Sequence, residues 1–537
     1  MNEGYWERDN SHFPTPISRY LWDLFVPAYD QGTRRGLARY GCVLDHFEFN
    51  RFKGRLYIKS CPVASLDELA ERRRLAQHAV ATKLWRQDRA AWPAIAQSLR
   101  ERLLKLARRD PANMDLPDVR KHIAALRSLF VEGATQHFIQ QPSSMVPVGD
   151  WVSRTCEWTG ASSSEAVAIL QGSCRQTDDY LLPIDGLARI LRGNKTAIAL
   201  LRNDPRDART RLEQLQTLSP EISNILGPYL DEYSDRIVTG FDITEATLRE
   251  LPQFTLALLA SRIDSLDDSN GSNNVEEAET KLRARVPHAV VEDFDEALTE
   301  AKAAYGLHDD DVRITYLWPL GLIRRALLAA AARLAVKGTL YDAEHIFQAA
   351  PDEADALMAG SCSPSALELQ QRADEWAAWA MAEPPSTFGE KEPMFTTDEL
   401  GPACSRVSSA ILFYLGEMES APSRSGQPSW SVLVEGLAAS PGRYEGRARI
   451  VCGPADFAKL AQGDVLVART TSPAYNVILP TIGAVVTDKG GSLCHAAIIA
   501  REFGIPAVVG TNNATMQIPD GAQILVDGDR GFVAVCL

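Results

Sequence analysis

The sequence has little of what marks exported, membrane-spanning or nucleic-acid-binding chains. Its nine cysteines run from Cys42 to Cys536 without a CxxC pair, so neither a zinc ribbon nor a dense disulfide frame is expected, and a reducing cytoplasm suits the chain best. The opening MNEGYWERDN is polar and charged. It holds no basic segment followed by an apolar core, and no export signal is read from it. The most apolar stretch, residues 317–336, is broken by Arg324, Arg325 and Arg333, which predicts a buried or amphipathic helix instead of a membrane span. Positive charge is in deficit. With 56 Lys+Arg against 70 Asp+Glu the net charge is −14, which disfavours nonspecific attraction to nucleic acid or anionic membranes. No metal-ligand spacing stands out, so no metal site is expected on this chain.

What is present suits a packed multidomain protein. Hydrophobic residues are 45% and charged residues 23% of 537, enough for a substantial core and too long for one domain. Helical spacing of apolar residues runs through 66–109 and 118–130 and recurs at 163–170, 186–192, 207–215, 244–262, 294–305, 320–336 and 366–382. Alternation over 47–59 predicts one hairpin turning at Lys53-Gly54. Residues 266–279 are polar and acidic and read as a mobile loop. Pro, Ser, Gly and Thr accumulate over 382–400 and 421–429, a linker signal. After Trp430 short β-branched runs separated by Gly, Pro and Asp predict strands at 447–451, 464–468, 484–487, 507–509 and 523–526, with a helix over 496–503. The expected plan is a mainly α domain over 1–382, a linker over 383–430 and an α/β domain over 431–537.

The stretch 484–510, AVVTDKGGSLCHAAIIAREFGIPAVVG, carries the chemistry. A strand ends near Val486, Gly490 and Gly491 permit a tight turn, and His495 opens a helix. Unpaired backbone N–H groups and the positive end of the helix dipole favour an anion there, so a phosphate carried on the imidazole would be stabilised in place.

These residues resemble a known family. Thr487, Gly490-Gly491, Cys494, His495-Ala496-Ala497, Ala500-Arg501-Glu502 and the run from Gly504 to Gly510 are similar to the phosphohistidine swivelling domain. That domain occurs in phosphoenolpyruvate (PEP) synthase, pyruvate phosphate dikinase, enzyme I of the sugar phosphotransferase system, rifampicin phosphotransferase and phenylphosphate synthase. Ala439-Ser440-Pro441-Gly442 resembles the domain's entry and Thr470-Thr471-Ser472-Pro473 its threonine/proline loop. The sequence departs at Cys494, where the family often has Ser or Thr, and at Tyr475 and Asn476, where many members carry Trp and Thr. Cys494 leaves a redox role open.

The resemblance implies His495 as the phosphohistidine, with Thr487, Gly490, Gly491 and Cys494 binding phosphate and Arg501 a candidate charge partner. A solvated helix position is the other reading of Arg501. Neither an ATP-grasp domain nor a (β/α)8 barrel is expected in this chain, which ends 42 residues beyond His495. Trp6-Glu7-Arg8-Asp9, His12-Phe13-Pro14, Pro16 and the stretch 312–355 resemble the helical substrate domain of rifampicin-phosphotransferase-like proteins. The resemblance therefore implies the phosphohistidine subunit of a split phenylphosphate or 4-methylphenol (p-cresol) synthase. Mg2+ and ATP would sit on a separate ATP-grasp partner, with no cofactor held stably here, and a phenolic hydroxyl would be the acceptor. Other expectations are a rifamycin-like acceptor, or a non-catalytic phosphocarrier.

For an acceptor pocket the sequence offers His137 as a base for a phenol, whose pKa is near 10, or as a helix-packing histidine. Tyr316 and Trp318 are candidate walls, and Arg324 or Arg325 a candidate phosphate partner, adjacent positions pointing to different faces. Asp309, Asp310 and Asp311 read as a helix N-cap region, His308 as surface, and Trp22, Phe25 and Tyr29 as core.

Overall fold

Helix starts written into the sequence are used as written. Ser18 caps the helix Arg19–Tyr40, and Ser65 with Glu68 and Ser162 with Glu165 form capping boxes for Leu66–Thr82 and Ser163–Ala168, each satisfying backbone N–H groups that a helix start leaves unpaired. The computed structural model describes residues 4–10, 12–173, 175–202, 207–265, 273–305, 307–390, 397–415, 432–452, 454–471, 475 and 478–535. Residues 1–143, 231–247 and 311–408 form one compact unit, and 144–230, 248–310 and 409–537 a second. The helical region read over 1–382 thus contributes to both.

In the first unit the predicted hairpin is present: β2 (Leu44–Phe52) and β3 (Arg55–Pro62) pair across Lys53 and Gly54, both at positive φ. With β1 (Trp6–Arg8) and β4 (Thr387–Phe388) they make a sheet ordered β2-β3-β1-β4. The run read over 66–109 is two helices, Leu66–Thr82 and Leu84–Ala107, broken at Lys83 with φ 50°. The stretch 317–336 forms the buried helix Trp318–Val336. It approaches the segment 235–247 so closely that a Cβ on Gly321 would lie 1.7 Å from the Asp235 carbonyl oxygen, a contact only glycine permits. That segment is not helical, contrary to the reading over 244–262. Ile237 pairs with Thr247 in an isolated bridge, the Asp242 carboxylate accepts from Thr244 N–H, and the helix waits for Pro252 and runs to Ser265.

In the second unit eight strands form an open sheet. They are β5 (Val432–Glu435), β6 (Leu437–Ser440), β7 (Arg443–Val451), β8 (Val465–Ala468), β9 (Ala484–Thr487), β10 (Ala507–Val509), β11 (Gln523–Asp527) and β12 (Phe532–Val535), ordered β5-β12-β11-β7-β8-β9-β10-β6. The pairs β7–β8, β8–β9 and β9–β10 are parallel. The helix His495–Phe503 connects β9 to β10, and Val465, Val467, Ala484, Val486 and Val508 form the sheet core. Every strand predicted after Trp430 is present, to within four residues at either end. The molecule is mostly helical with this α/β sheet at its C-terminal end, and among the described residues no sheet closes into a barrel.

Two further readings change. The stretch 266–279 lies outside the described residues over 266–272, and from Asn273 it is helix to Arg283, supported by the Glu277–Lys281 pair one turn apart. Within 383–430 the chain forms β4 and the helices Thr397–Leu400 and Pro402–Tyr414, while residues 391–396 and 416–430 lie outside the described residues. Among the described residues no helix is long and apolar enough to cross a membrane.

Candidate active site

His495 is the first residue of a nine-residue helix, and the turn before it is built to leave that position open. Gly490 holds φ at +128°, and a Cβ there would meet Cys494 Sγ at 2.6 Å, so the turn requires glycine. Cys494 N–H donates to Gly491 O at 3.1 Å. Cys494 occupies the N-cap but makes no side-chain capping bond. Among the described residues no side chain caps the first-turn amides of Ala496 and Ala497, the groups a helix start offers to an anion.

The half-buried imidazole of His495 places Nδ1 3.0 Å from Thr471 Oγ1, and Thr471 is buried. In the tautomer in which Nδ1–H donates to this hydroxyl, Nε2 keeps its lone pair and is the nucleophile. The sequence signals Thr471 only through the resemblance of its threonine/proline loop, which does not mark it as a partner of His495. Ser472, Pro473 and Asn476 lie outside the described residues. Tyr475 is buried against Phe457, with ring centroids 4.9 Å apart, and Phe457 meets Phe254 of the helix Pro252–Ser265 at 5.7 Å.

Thr487 is placed differently from the expectation. Its hydroxyl donates to Lys489 O at 2.8 Å and its carbonyl accepts from Thr511 N–H and Oγ1. The side chain, fully buried, ties the strand end to the turn and has spent its only donor. Arg501 also departs from the solvated reading: its guanidinium is 0% exposed. Nη1 donates to Ser492 O at 2.6 Å, and among the described residues Nε and Nη2 have no hydrogen-bond partner. A buried cation with one acceptor is costly, and it stands beside the turn that presents His495. Ser492 Oγ meets Ser163 Oγ at 3.1 Å and Glu502 accepts from Gly172 N–H, so the His495 turn rests on the helical layer of its own unit.

The expected acceptor residues all fall in the first unit. His137 and Tyr316 are joined by a chain of aromatic contacts through Phe138 and Phe25, but Tyr316 Oη is committed to Phe241 O at 2.9 Å. Trp318 is fully buried in the core. Arg324 donates to Ile243 O at 3.0 Å and lies over the Phe347 ring, and Arg325 pairs with Asp235 at 2.5 Å while donating to Ala107 O and Arg109 O. Both arginines are spent on holding the 235–247 segment and its neighbours, which leaves them poorly placed to receive a phosphate. Asp311, read with Asp309 and Asp310 as an N-cap, is instead the buried partner of His137 at 2.6 Å. The side chains of His308, Asp309 and Asp310 lie outside the described residues.

A parallel-centred sheet with a histidine at an uncapped helix start, set on a helical layer, defines a class. Residues 460–531 match the mobile domain of PEP-utilising enzymes, and residues 137–307 match the rifampicin phosphotransferase fourth domain. The chain is thus a relative of the rifampicin phosphotransferases and of the PEP-utilising enzymes. Rifampicin phosphotransferase of Streptomyces sviceus is 25% identical over 71% of this chain and 42% of its own length. PEP synthase of Aeropyrum pernix is 46% identical over 21% of this chain and 14% of its own. Chondramide synthase cmdD of Chondromyces crocatus is 34% identical over 47% of this chain and 6% of its own. The chain spans less than half the length of these relatives.

Proposed function

We propose that this chain is the phosphohistidine-bearing part of a phosphotransferase. His495 Nε2 accepts a phosphoryl group from ATP held with Mg2+ by a separate ATP-grasp protein, with AMP and phosphate as the other products, and gives it to the hydroxyl of a phenolic acceptor in a cytoplasmic setting. The observation that carries the reading is the tautomer-setting contact of His495 Nδ1 with Thr471 at an uncapped helix start. Phosphoryl transfer asks for in-line positioning and charge neutralisation more than for covalent help. The chain supplies both: a fixed ring nitrogen, the amides of Ala496 and Ala497, and the Arg501 guanidinium behind the turn. Mg2+ and ATP have no role on this chain in the proposal. When bound by the partner, the metal would shield the triphosphate's charge.

A rifamycin-like acceptor is the second reading, favoured by the alignment of 71% of this chain with a rifampicin phosphotransferase. The test mixes the purified chain with Mg-ATP and a candidate ATP-grasp protein, in wild type and His495→Ala, and follows acid-labile phosphate. Phenol, 4-methylphenol or rifampicin is then added. Label that forms in wild type alone and leaves as an aryl phosphate supports the first reading; discharge to rifampicin alone supports the second.

A further inference from the structure

We propose that His137, oriented by Asp311, is the base of a binding site for an aromatic hydroxyl compound, beside the aromatic cluster of Phe25, Tyr29, Phe138 and Tyr316. The proposal rests on the preceding reading for its phosphoryl donor and on the first unit alone for its site.

His137 and Asp311 are separated by 174 residues, and the chain folds to bring Nδ1 within 2.6 Å of Oδ1. Both side chains are more than nine-tenths buried, at 7% and 4% exposure. Inside a protein core such a pair is a poor stabiliser: well-packed apolar residues of the same volume commonly do as well or better. Its geometry is that of an oriented base. A carboxylate on Nδ1 fixes the proton there and leaves Nε2 as acceptor, and in the resting protein Nε2 lies 3.1 Å from the Gln141 amide nitrogen. An acceptor hydroxyl would replace that amide and donate to the same atom.

The surroundings are flat rings. Tyr29 and Phe138 have centroids 4.0 Å apart, His137 and Phe138 4.9 Å, Phe25 and Tyr29 5.3 Å, and Phe25 and Tyr316 5.6 Å. A planar ring packs among such faces better than an aliphatic one. His12, held by Asp9 at 3.0 Å and about half exposed, lies edge-on to Phe241 at 5.2 Å, and Phe241 meets Tyr316 at 5.6 Å. Ring contacts thus run from the half-exposed His12 through Phe241, Tyr316, Phe25 and Phe138 to His137.

Burial pushes His137 down to about 3, with His12 adding to the shift, and burial alone pushes Asp311 well above the carboxylate range. The two directions describe one unit. With the carboxylate on Nδ1–H and Nε2 unprotonated the pair carries one net negative charge, which burial disfavours, so the dyad is a strong acceptor for a further proton at Nε2.

The step balances. The acceptor O–H proton goes to His137 Nε2 as the oxygen forms its bond to phosphorus. The bond from phosphorus to His495 Nε2 breaks with its electron pair returning to the ring. Nδ1 of His495 regains from water the proton it lost on loading, and His137 returns its own to water.

The test uses the full chain loaded chemically with potassium phosphoramidate, which needs no partner protein, in wild type, His495→Ala, His137→Gln and Asp311→Asn. The probe acceptor is 4-methylphenol, with 4-methylcyclohexanol as the aliphatic control. Both dyad variants should load His495 as wild type does. His137→Gln should slow formation of 4-methylphenyl phosphate by about 100-fold or more. Asp311→Asn, a positioning change, should slow it at least tenfold with half-saturating 4-methylphenol altered less than twofold. The His137 ring signals of the unloaded wild type should shift on titration with 4-methylphenol and not with the control. Dyad variants that discharge at the wild-type rate, or a His137 signal that 4-methylphenol leaves in place, would overturn the proposal. If wild type fails to load at His495, the carrier reading fails and the His137 titration alone decides this one. The same titration decides if a variant does not fold.

Discussion

Arg501→Met separates stability from function. The guanidinium is fully buried, bonded once to Ser492 O, with Nε and Nη2 unpartnered among the described residues. Each unsatisfied buried N–H costs about 1–3 kcal/mol, while the one charge-assisted bond returns about 1.5–3 kcal/mol. Methionine fills similar volume without the charge, so the unphosphorylated variant should be as stable as wild type or more so, by roughly 0–3 kcal/mol. Loading reverses the balance. Ser492 O lies three residues before His495, a separation of at most about 10 Å along the chain. For a charge separation of about 10 Å and an effective dielectric near 20, a unit charge on the phosphate gains about 1.7 kcal/mol from the cation, close to a twentyfold effect. The variant should thus melt at or above the wild-type temperature, yet lose His495-linked phosphate about ten- to twentyfold faster after loading with phosphoramidate. Thermal melts and the decay of acid-labile phosphate read the two effects separately. A variant that melts several degrees lower and keeps its phosphate as long as wild type would refute the reasoning, because Arg501 would then be a structural residue.

Thr471→Val keeps the shape of the threonine but removes the oxygen that receives Nδ1–H. Losing about 1 kcal/mol of tautomer preference should slow loading of His495 roughly fivefold to tenfold with an unchanged melt, as followed by phosphate incorporation. Gly490→Ala, at φ +128° and with its new Cβ 2.6 Å from Cys494 Sγ, should lower the melting temperature measurably and abolish loading, since the added methyl forces the turn apart. Burial raises Glu245 from 4.5 to about 7. Between those values the folded protein holds a proton that the unfolded chain has released, so stability falls as pH rises through the window, by about 3 kcal/mol in total. Denaturant melts from pH 4.5 to 7.5 should show that slope, and Glu245→Gln should flatten it.

The sequence was most legible where local rules decide the outcome. The glycine turn, the His495 helix and the strands after Trp430 follow from β-branching, turn residues and spacing over a few positions, and the described residues show them. The Lys53-Gly54 hairpin is legible for the same reason. What escaped depends on distant partners. Asp311 looks like its neighbours Asp309 and Asp310 until the fold sets it on His137, 174 residues away. Arg501 carries the signature of an exposed helix residue, but its helix is covered on every side, which no periodicity in nine residues can reveal. Thr487 was assigned by its motif to the phosphate, and only the contact with Lys489 O shows its hydroxyl already used. Arg324 likewise binds Ile243 O, and Arg325 binds Asp235 with the carbonyls of Ala107 and Arg109, partners that lie 81 or more residues away in the chain. The helix Pro402–Tyr414 was the missed local signal, since Val407, Ala410, Ile411 and Tyr414 fall at helical spacing in a stretch read as linker.

The most direct test of the central claim is mass spectrometry of the intact chain and of its peptides after phosphoryl loading, in wild type and His495→Ala. The account predicts a single acid-labile, base-stable phosphate on the peptide containing His495, absent from the variant. Acid-stable phosphate on a hydroxyl side chain, or equal label in His495→Ala, would contradict it.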